Sequence, residues 1–175
     1  MQPIFIVTGP PAAGKTAFCC ALLQHYDRGL HIPVDDLREW VVAGIAHPIG
    51  WTDETTRQFA LAEHAAADLA LRYNDAGFAV ALDHCAGPPS LNELVQSRLQ
   101  GRLVHCVILL PTLETNLGRN SSRAGKNFEL SILEPTIRRL NPMFRQQELR
   151  DQGWLLVENE QDGIENAVAS LISMI

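Results

Sequence analysis

The sequence lacks the features that are typical of a membrane protein, a secreted protein or a protein that binds long nucleic acids. No apolar run approaches the roughly 18 residues of a membrane-spanning helix, and the start lacks the basic residues and cleavage site of a signal peptide. The 175 residues carry 14 basic and 20 acidic groups, a net charge of −6, whereas proteins that bind long nucleic acids are usually basic. We therefore expect a cytoplasmic protein with no membrane partner.

Cysteine is also scarce, which argues against a disulfide-stabilised or zinc-stabilised fold. No Cys-x-x-Cys pair occurs, and none of the six histidines is spaced from cysteines or carboxylates as in a common metal site. We expect reduced and mostly buried thiols. The four cysteines are Cys19, Cys20, Cys85 and Cys106.

Hydrophobic residues make up 46% of the chain and charged residues 19%, which is typical of a globular protein. The length predicts one domain over residues 1–175. Apolar runs alternate with helical patterns, and residues 103–110 are apolar without alternation, as in strands buried on both faces of a parallel sheet. The pattern predicts an α/β fold with helices on both faces of the sheet. Strands are predicted at 4–7, 31–34, 78–82, 103–110 and 154–157.

Several helix boundaries follow from local signals. A Ser90-x-x-Glu93 capping box predicts the start of one helix, and Asp162-x-x-Glu165 predicts the start of the last. One helix is predicted over residues 53–74, with Phe59 on its apolar face, and another over 129–150.

The segment after the first strand matches the phosphate-binding loop Gly-x4-Gly-Lys-[Ser/Thr], the Walker A motif. In such a loop backbone N–H groups surround phosphate oxygens, the lysine reaches the β- and γ-phosphates of ATP, and the hydroxyl binds Mg²⁺. A fortuitous glycine-rich turn, or a phosphate loop without catalysis, are the alternatives. The predicted ATP-binding residues here are Gly9, Pro10, Pro11, Ala12, Ala13, Gly14, Lys15, Thr16 and Ala17.

Asp35-x-x-Arg38 follows the second strand. A carboxylate beside the path of a transferred phosphoryl group can accept the proton of an attacking hydroxyl. Asp35 is therefore the candidate base and Arg38 the candidate contact for the phosphate acceptor. The alternative is that Asp35 caps a helix and Arg38 is solvated.

Asp83 directly follows the third strand, where a carboxylate can orient Mg²⁺ or its water in enzymes with a phosphate loop. We predict that Asp83 and Thr16 hold the metal. A strand-end aspartate that only turns the chain is the alternative.

Residues 119–150 carry seven basic and three acidic groups, a net charge of +4 in an acidic protein. Within them, a polar segment of about 119–128 predicts a lid that closes over ATP. Arg123 is the candidate for stabilising the phosphoryl group in the transition state, and Arg119 and Lys126 are secondary candidates. We predict that Arg119 and Arg123 also contact ATP. A solvated basic loop is the alternative.

Three other residues give weaker signals. Trp51 could stack on an acceptor, although core packing is favoured. His84 could contact the acceptor, although a satisfied structural histidine is favoured. Asn159, beyond the fifth strand, could border the adenine.

These motifs together resemble the kinase domain of phage-type polynucleotide 5′-hydroxyl kinases, and Val34-Asp35-Asp36-Leu37 is similar to chloramphenicol phosphotransferase. The resemblance implies a three-layer P-loop fold with sheet order 2-3-1-4-5. It also implies ATP binding by Lys15 and Thr16, a general base at Asp35, an acceptor contact at Arg38 and phosphoryl stabilisation by Arg123. His84-Cys85 stands where the polynucleotide kinases usually have Thr-Asn.

The hypothesis that these residues favour is an ATP- and Mg²⁺-dependent kinase that phosphorylates a hydroxyl of a small molecule. A polynucleotide 5′-hydroxyl kinase is the first alternative, and an ATP-binding switch without phosphate transfer is the second. The sequence identifies neither the acceptor nor the oligomeric state.

Overall fold

A five-stranded sheet, parallel at every pairing, runs through the centre of the computed structural model, which describes residues 1–48, 50–122, 133–160 and 163–175. The strand order is β2-β3-β1-β4-β5, so the predicted fold class and sheet order are confirmed. The strands are β1 (Ile4–Thr8), β2 (Gly29–Pro33), β3 (Ala79–Asp83), β4 (Val104–Leu110) and β5 (Leu155–Glu158).

Helices cover both faces of this sheet because its strands are apolar on both sides. Along β1, Ile4 and Ile6 belong to one buried cluster, whereas Phe5 and Val7 belong to the other. The first cluster packs under α3 and α4, and the second under α1 and α8. The helices are α1 (Lys15–Leu23), α2 (Val34–Glu39), α3 (Asp53–Asp75), α4 (Pro88–Arg98), α5 (Leu113–Ser121), α6 (Glu134–Met143), α7 (Gln147–Asp151) and α8 (Ile164–Met174).

Two predicted helix features were wrong. Helix α4 begins at Pro88 rather than at the Ser90 capping box, because a proline needs no hydrogen-bond partner in the first turn. The predicted helix over 129–150 is two helices in its described part, α6 and α7. Pro142 lies inside α6 and lacks the backbone N–H that would continue it, and α6 ends one residue later. The Asp162 capping signal lies outside the described residues.

The topology brings the carboxyl ends of β1, β2 and β3 to one edge of the sheet, where the predicted site residues follow their strands. Pro33 is the last residue of β2, an edge strand, as the proline predicts. Among the described residues, no helix has the length and apolar character needed to span a bilayer.

Candidate active site

The phosphate loop between β1 and α1 has a backbone that curls because several of its φ angles are positive. Gly9, Ala12 and Gly14 have φ angles of 150°, 60° and 90°. A Cβ on Gly9 would lie 2.6 Å from the carbonyl oxygen of Leu109, so β4 leaves no room for a side chain there. Gly14 is the N-cap of α1 and offers no side-chain cap, so the first amides of that helix are left for an anion.

Lys15 folds back over this loop. Its Nζ donates to the carbonyl oxygens of Gly9, at 3.3 Å, and Pro10, at 3.4 Å. The ammonium therefore lies beside the curled backbone of the loop, which is the position that its predicted role with phosphate requires.

Thr16 and Asp83 meet at the base of the loop. The Thr16 hydroxyl donates to Asp83 Oδ2 at 2.6 Å, and His31 Nε2 lies 3.5 Å from the same oxygen. Burial alone would raise the pKa of Asp83, but His31, Lys15 and Thr16 lower it below its usual value. The carboxylate is ionised at neutral pH, and together with a hydroxyl it forms the hard oxygen donor set that Mg²⁺ prefers. The residues present therefore fit the predicted metal.

Polar side chains of α5 and of the segment after β5 donate hydrogen bonds to carbonyl oxygens of the phosphate loop. Arg119 donates to the carbonyl oxygens of Ala13, at 3.3 Å, and Glu160, at 2.9 Å. The buried Asn159 donates to Ala13 at 2.7 Å, and Asn116 on α5 donates to Pro11. Arg119 thus lies on helix α5, against the phosphate loop, rather than in a solvated segment. Asn116 was not predicted, because nothing local separates a buried asparagine from a solvated one.

Asp35 lies in the first turn of α2 and contacts residues that follow β3. The N-cap of α2 is Pro33, so Asp35 does not cap this helix. Asp35 Oδ1 accepts from the Cys85 thiol at 3.3 Å and lies 3.7 Å from His84 Nδ1. The other ring nitrogen of His84 is 2.8 Å from Glu63 Oε1 on α3. The histidine therefore stands between two carboxylates.

The charges of His84 and Asp35 depend on one another. Burial alone would lower the pKa of His84, but Asp35, Cys85 and Glu63 raise it to about 11, so the imidazole is a cation at neutral pH. Burial would likewise raise the pKa of Asp35, yet His84, Cys85 and Lys15 lower it. Asp35 is thus an ionised carboxylate whose side chain is 47% exposed. Glu63 carried no sequence signal, since it lies in the middle of a long amphipathic helix.

Arg38 is buried rather than solvated. Its Nη1 donates to the carbonyl oxygen of Ala46 at 2.9 Å, and its guanidinium carbon lies 4.7 Å from the centre of the Phe59 ring. Trp51 stacks on Phe59 at 5.0 Å between ring centres and is 59% exposed, so the favoured expectation of core packing for Trp51 was wrong. The Phe59 ring also faces His84, at 6.4 Å. The rings of Trp51, Phe59 and His84 therefore form an aromatic wall beside Asp35.

Arg123, Lys126 and the part of the predicted lid beyond Ser122 lie outside the described residues, so the lid and the role of Arg123 stay predictions.

The thiols are not mostly buried, because Cys20 and Cys85 are exposed. The apolar pattern places Cys19 in the core, but it says nothing about residues at helix surfaces and loop starts.

The comparisons with known proteins show the fold. No protein-family model matches the chain, and no curated protein matches its sequence. A sugar kinase from Janibacter sp. HTCC2649 has a similar structure, with a TM-score of 0.69 and 17% identity over 99% of this chain and 94% of that one. The Deinococcus radiodurans tunicamycin resistance protein has a TM-score of 0.66 and 16% identity over 99% and 95%. A gluconokinase from Sinorhizobium meliloti 1021 has a TM-score of 0.64 and 17% identity over 99% and 93%.

These similarities span nearly the full length of each chain, so this chain shares the α/β fold of a sugar kinase and a gluconokinase. The narrower resemblances to polynucleotide kinases and to chloramphenicol phosphotransferase stay predictions.

Proposed function

We propose that this protein is an ATP- and Mg²⁺-dependent kinase that transfers the γ-phosphate to a hydroxyl of a small molecule. The observation that carries this proposal is the position of two consecutive residues at the carboxyl end of β3. Asp83 accepts a hydrogen bond from Thr16 of the phosphate loop, and His84 lies 3.7 Å from the carboxylate of Asp35. The phosphate loop and the ionised carboxylate of Asp35 are thereby held at one edge of the same sheet.

The chemistry follows from these positions. The loop amides and Lys15 bind the triphosphate, and Mg²⁺ held by Thr16 and Asp83 would offset the charge of the β- and γ-phosphates. The acceptor oxygen attacks the γ-phosphorus as the bond from this phosphorus to the β–γ bridging oxygen breaks, and ADP leaves. Asp35 accepts the proton that the acceptor hydroxyl loses. Arg123 remains the predicted residue that stabilises the transferred phosphoryl group.

The region around Asp35 favours a small acceptor. It is lined by the buried Arg38 and by the exposed ring of Trp51, which suit a compact molecule with a polar and an apolar side. The net charge of −6 disfavours a long nucleic acid. Two structural neighbours are described as a sugar kinase and a gluconokinase, which supports hydroxylated small molecules as the acceptor class.

The test is transfer of labelled phosphate from γ-labelled ATP with Mg²⁺ to sugars, sugar acids, hydroxylated antibiotics and a short 5′-hydroxyl oligonucleotide. Lys15→Ala is the control. We expect label on a small molecule and none with the control variant. Label on the oligonucleotide instead, with transfer that falls steeply with salt, would establish the polynucleotide kinase alternative. ATP binding with no labelled acceptor would favour the switch without transfer.

A further inference from the structure

Three side chains of different chemistry meet beside the proposed path of the phosphate. Asp35, His84 and Cys85 each offer one ligand atom, and these atoms all lie within 4.8 Å of one another. Asp35 Oδ1 is 3.3 Å from Cys85 Sγ and 3.7 Å from His84 Nδ1. In a tetrahedral zinc site with ordinary bond lengths, neighbouring ligand atoms are about 3.4–3.6 Å apart. These two separations are close to that spacing.

The environment of His84 is a second, independent observation. Its side chain is 1% exposed, and Nδ1, which faces Asp35, is a buried nitrogen with no hydrogen-bond partner among the residues that the structure describes. The opposite nitrogen, Nε2, lies 2.8 Å from the carboxylate of Glu63. Metal-bound histidines usually donate their second ring N–H to such a carboxylate, which orients the ring and makes the first nitrogen a better ligand.

We propose that Asp35, His84 and Cys85 form a binding site for a thiophilic divalent cation of the Zn²⁺ class. Thiolate and imidazole donors favour Zn²⁺ over Mg²⁺, which prefers oxygen ligands, so this site is chemically distinct from the one at Thr16 and Asp83. Binding forms one bond each to Sγ, Nδ1 and Oδ1 and displaces the thiol proton and the Nδ1 proton to solvent. The exposed Cys85 and the half-buried Asp35 leave an entry path and a fourth coordination position.

The site has a consequence for catalysis that rests on the proposed function. The cation binds the same carboxylate that accepts the proton of the acceptor hydroxyl. Occupancy therefore blocks phosphate transfer, and a chelator restores it. A Cys85→Ser variant, which replaces the thiolate ligand, requires more Zn²⁺ for the same inhibition.

The binding test uses Co²⁺ as a spectroscopic probe, because a thiolate ligand gives Co²⁺ a charge-transfer band in the near ultraviolet. We expect one equivalent of Co²⁺ to produce this band with the wild-type protein and Zn²⁺ to abolish it. Cys85→Ser should lose the band. Cys20→Ser should keep it, and this is a matched control because Cys20 is also exposed and has its own histidine neighbour, His31, at 3.8 Å. Glu63→Gln should weaken Co²⁺ affinity by about 10–100-fold.

A band that survives Cys85→Ser, or no band with the wild-type protein, would overturn the proposal. Thermal unfolding of Cys85→Ser should match that of the wild type, since the side chain is exposed, so a lost band reports the ligand rather than the fold. The Co²⁺ experiment does not depend on phosphate transfer. If the band forms but no acceptor is phosphorylated, the proposed function fails while the metal site stands.

Discussion

The two halves of the candidate site are built in different ways. The phosphate loop comes from consecutive residues, and its shape depends on backbone angles and on the absence of a side chain at Gly9. The half around Asp35 is built from side chains of α2, α3 and the segment after β3, and its Asp35–Cys85 contact joins positions 50 residues apart. The first half therefore depends on local geometry, and the second on charges that packing brings together.

The largest expected effect tests whether Asp35, in the second half, is the base that accepts the proton of the acceptor hydroxyl. Asp35→Asn should lower phosphate transfer by about 10²–10⁴-fold, because the amide cannot accept the proton of the acceptor. ATP affinity should change little, since the side chains that Asp35 contacts directly, Cys85 and His84, lie outside the phosphate loop. Asp36→Asn is the matched control, because Asp36 is the next residue of α2 and is exposed. Equal turnover of the two variants would remove Asp35 from the mechanism.

The second prediction tests the dependence of the phosphate loop on its backbone. Gly9→Ala should lower the free energy of unfolding by about 3 kcal/mol, because the added Cβ overlaps the Leu109 carbonyl and φ is positive. Gly44→Ala should cost about 1 kcal/mol, since its φ is also positive but an added Cβ would meet no atom of the described residues within 4 Å. Urea unfolding measures both. If Gly44→Ala lowers the free energy of unfolding as much as Gly9→Ala does, the close approach of Gly9 to Leu109 does not determine the shape of the loop.

The third prediction concerns the charges of the other half. Glu63→Gln removes a charged partner of His84 and should lower the free energy of unfolding by about 2 kcal/mol at pH 6. The folded-state pKa of His84, about 11, lies above the ordinary value of 6.5. This stabilisation is therefore complete below pH 6.5 and is lost as the pH rises through about 11.

Unfolding of wild type and Glu63→Gln from pH 6 to pH 11, without divalent cations, tests this prediction. The difference between them should shrink as the pH rises. Glu93→Gln, at an exposed position on α4, should leave stability nearly unchanged throughout. A Glu63→Gln difference that grows with pH would contradict a cationic His84.

The smallest expected effect tests the aromatic wall. Trp51→Ala should raise the KM for the acceptor by about 3–10-fold, corresponding to about 1 kcal/mol for a lost aromatic contact. The KM for ATP should not change, because Trp51 lies in the loop before α3 and contacts Thr56 and Phe59 of that helix rather than the phosphate loop. An unchanged acceptor KM would remove Trp51 from the acceptor site.

Sequence patterns located most of the elements because they depend on residues close along the chain. The unbroken apolar run of β4 predicts a strand buried on both faces, and the glycine spacing of residues 9–16 predicts a phosphate loop between a strand and a helix. Where competing local signals coincide, the outcome was less predictable. Pro88 begins α4 ahead of the Ser90 capping box, and Pro142 divides a segment that otherwise favours one helix.

The sequence by itself determined the α/β class, the phosphate loop and the candidate residues Asp35, Arg38 and Asp83, because each follows from spacing within a few residues. Only the tertiary structure decided that Arg38 is buried on Phe59 and that His84 stands between Asp35 and Glu63. Those contacts depend on how α2 and α3 pack on the sheet, and that packing is set by the whole core rather than by the residues that meet there.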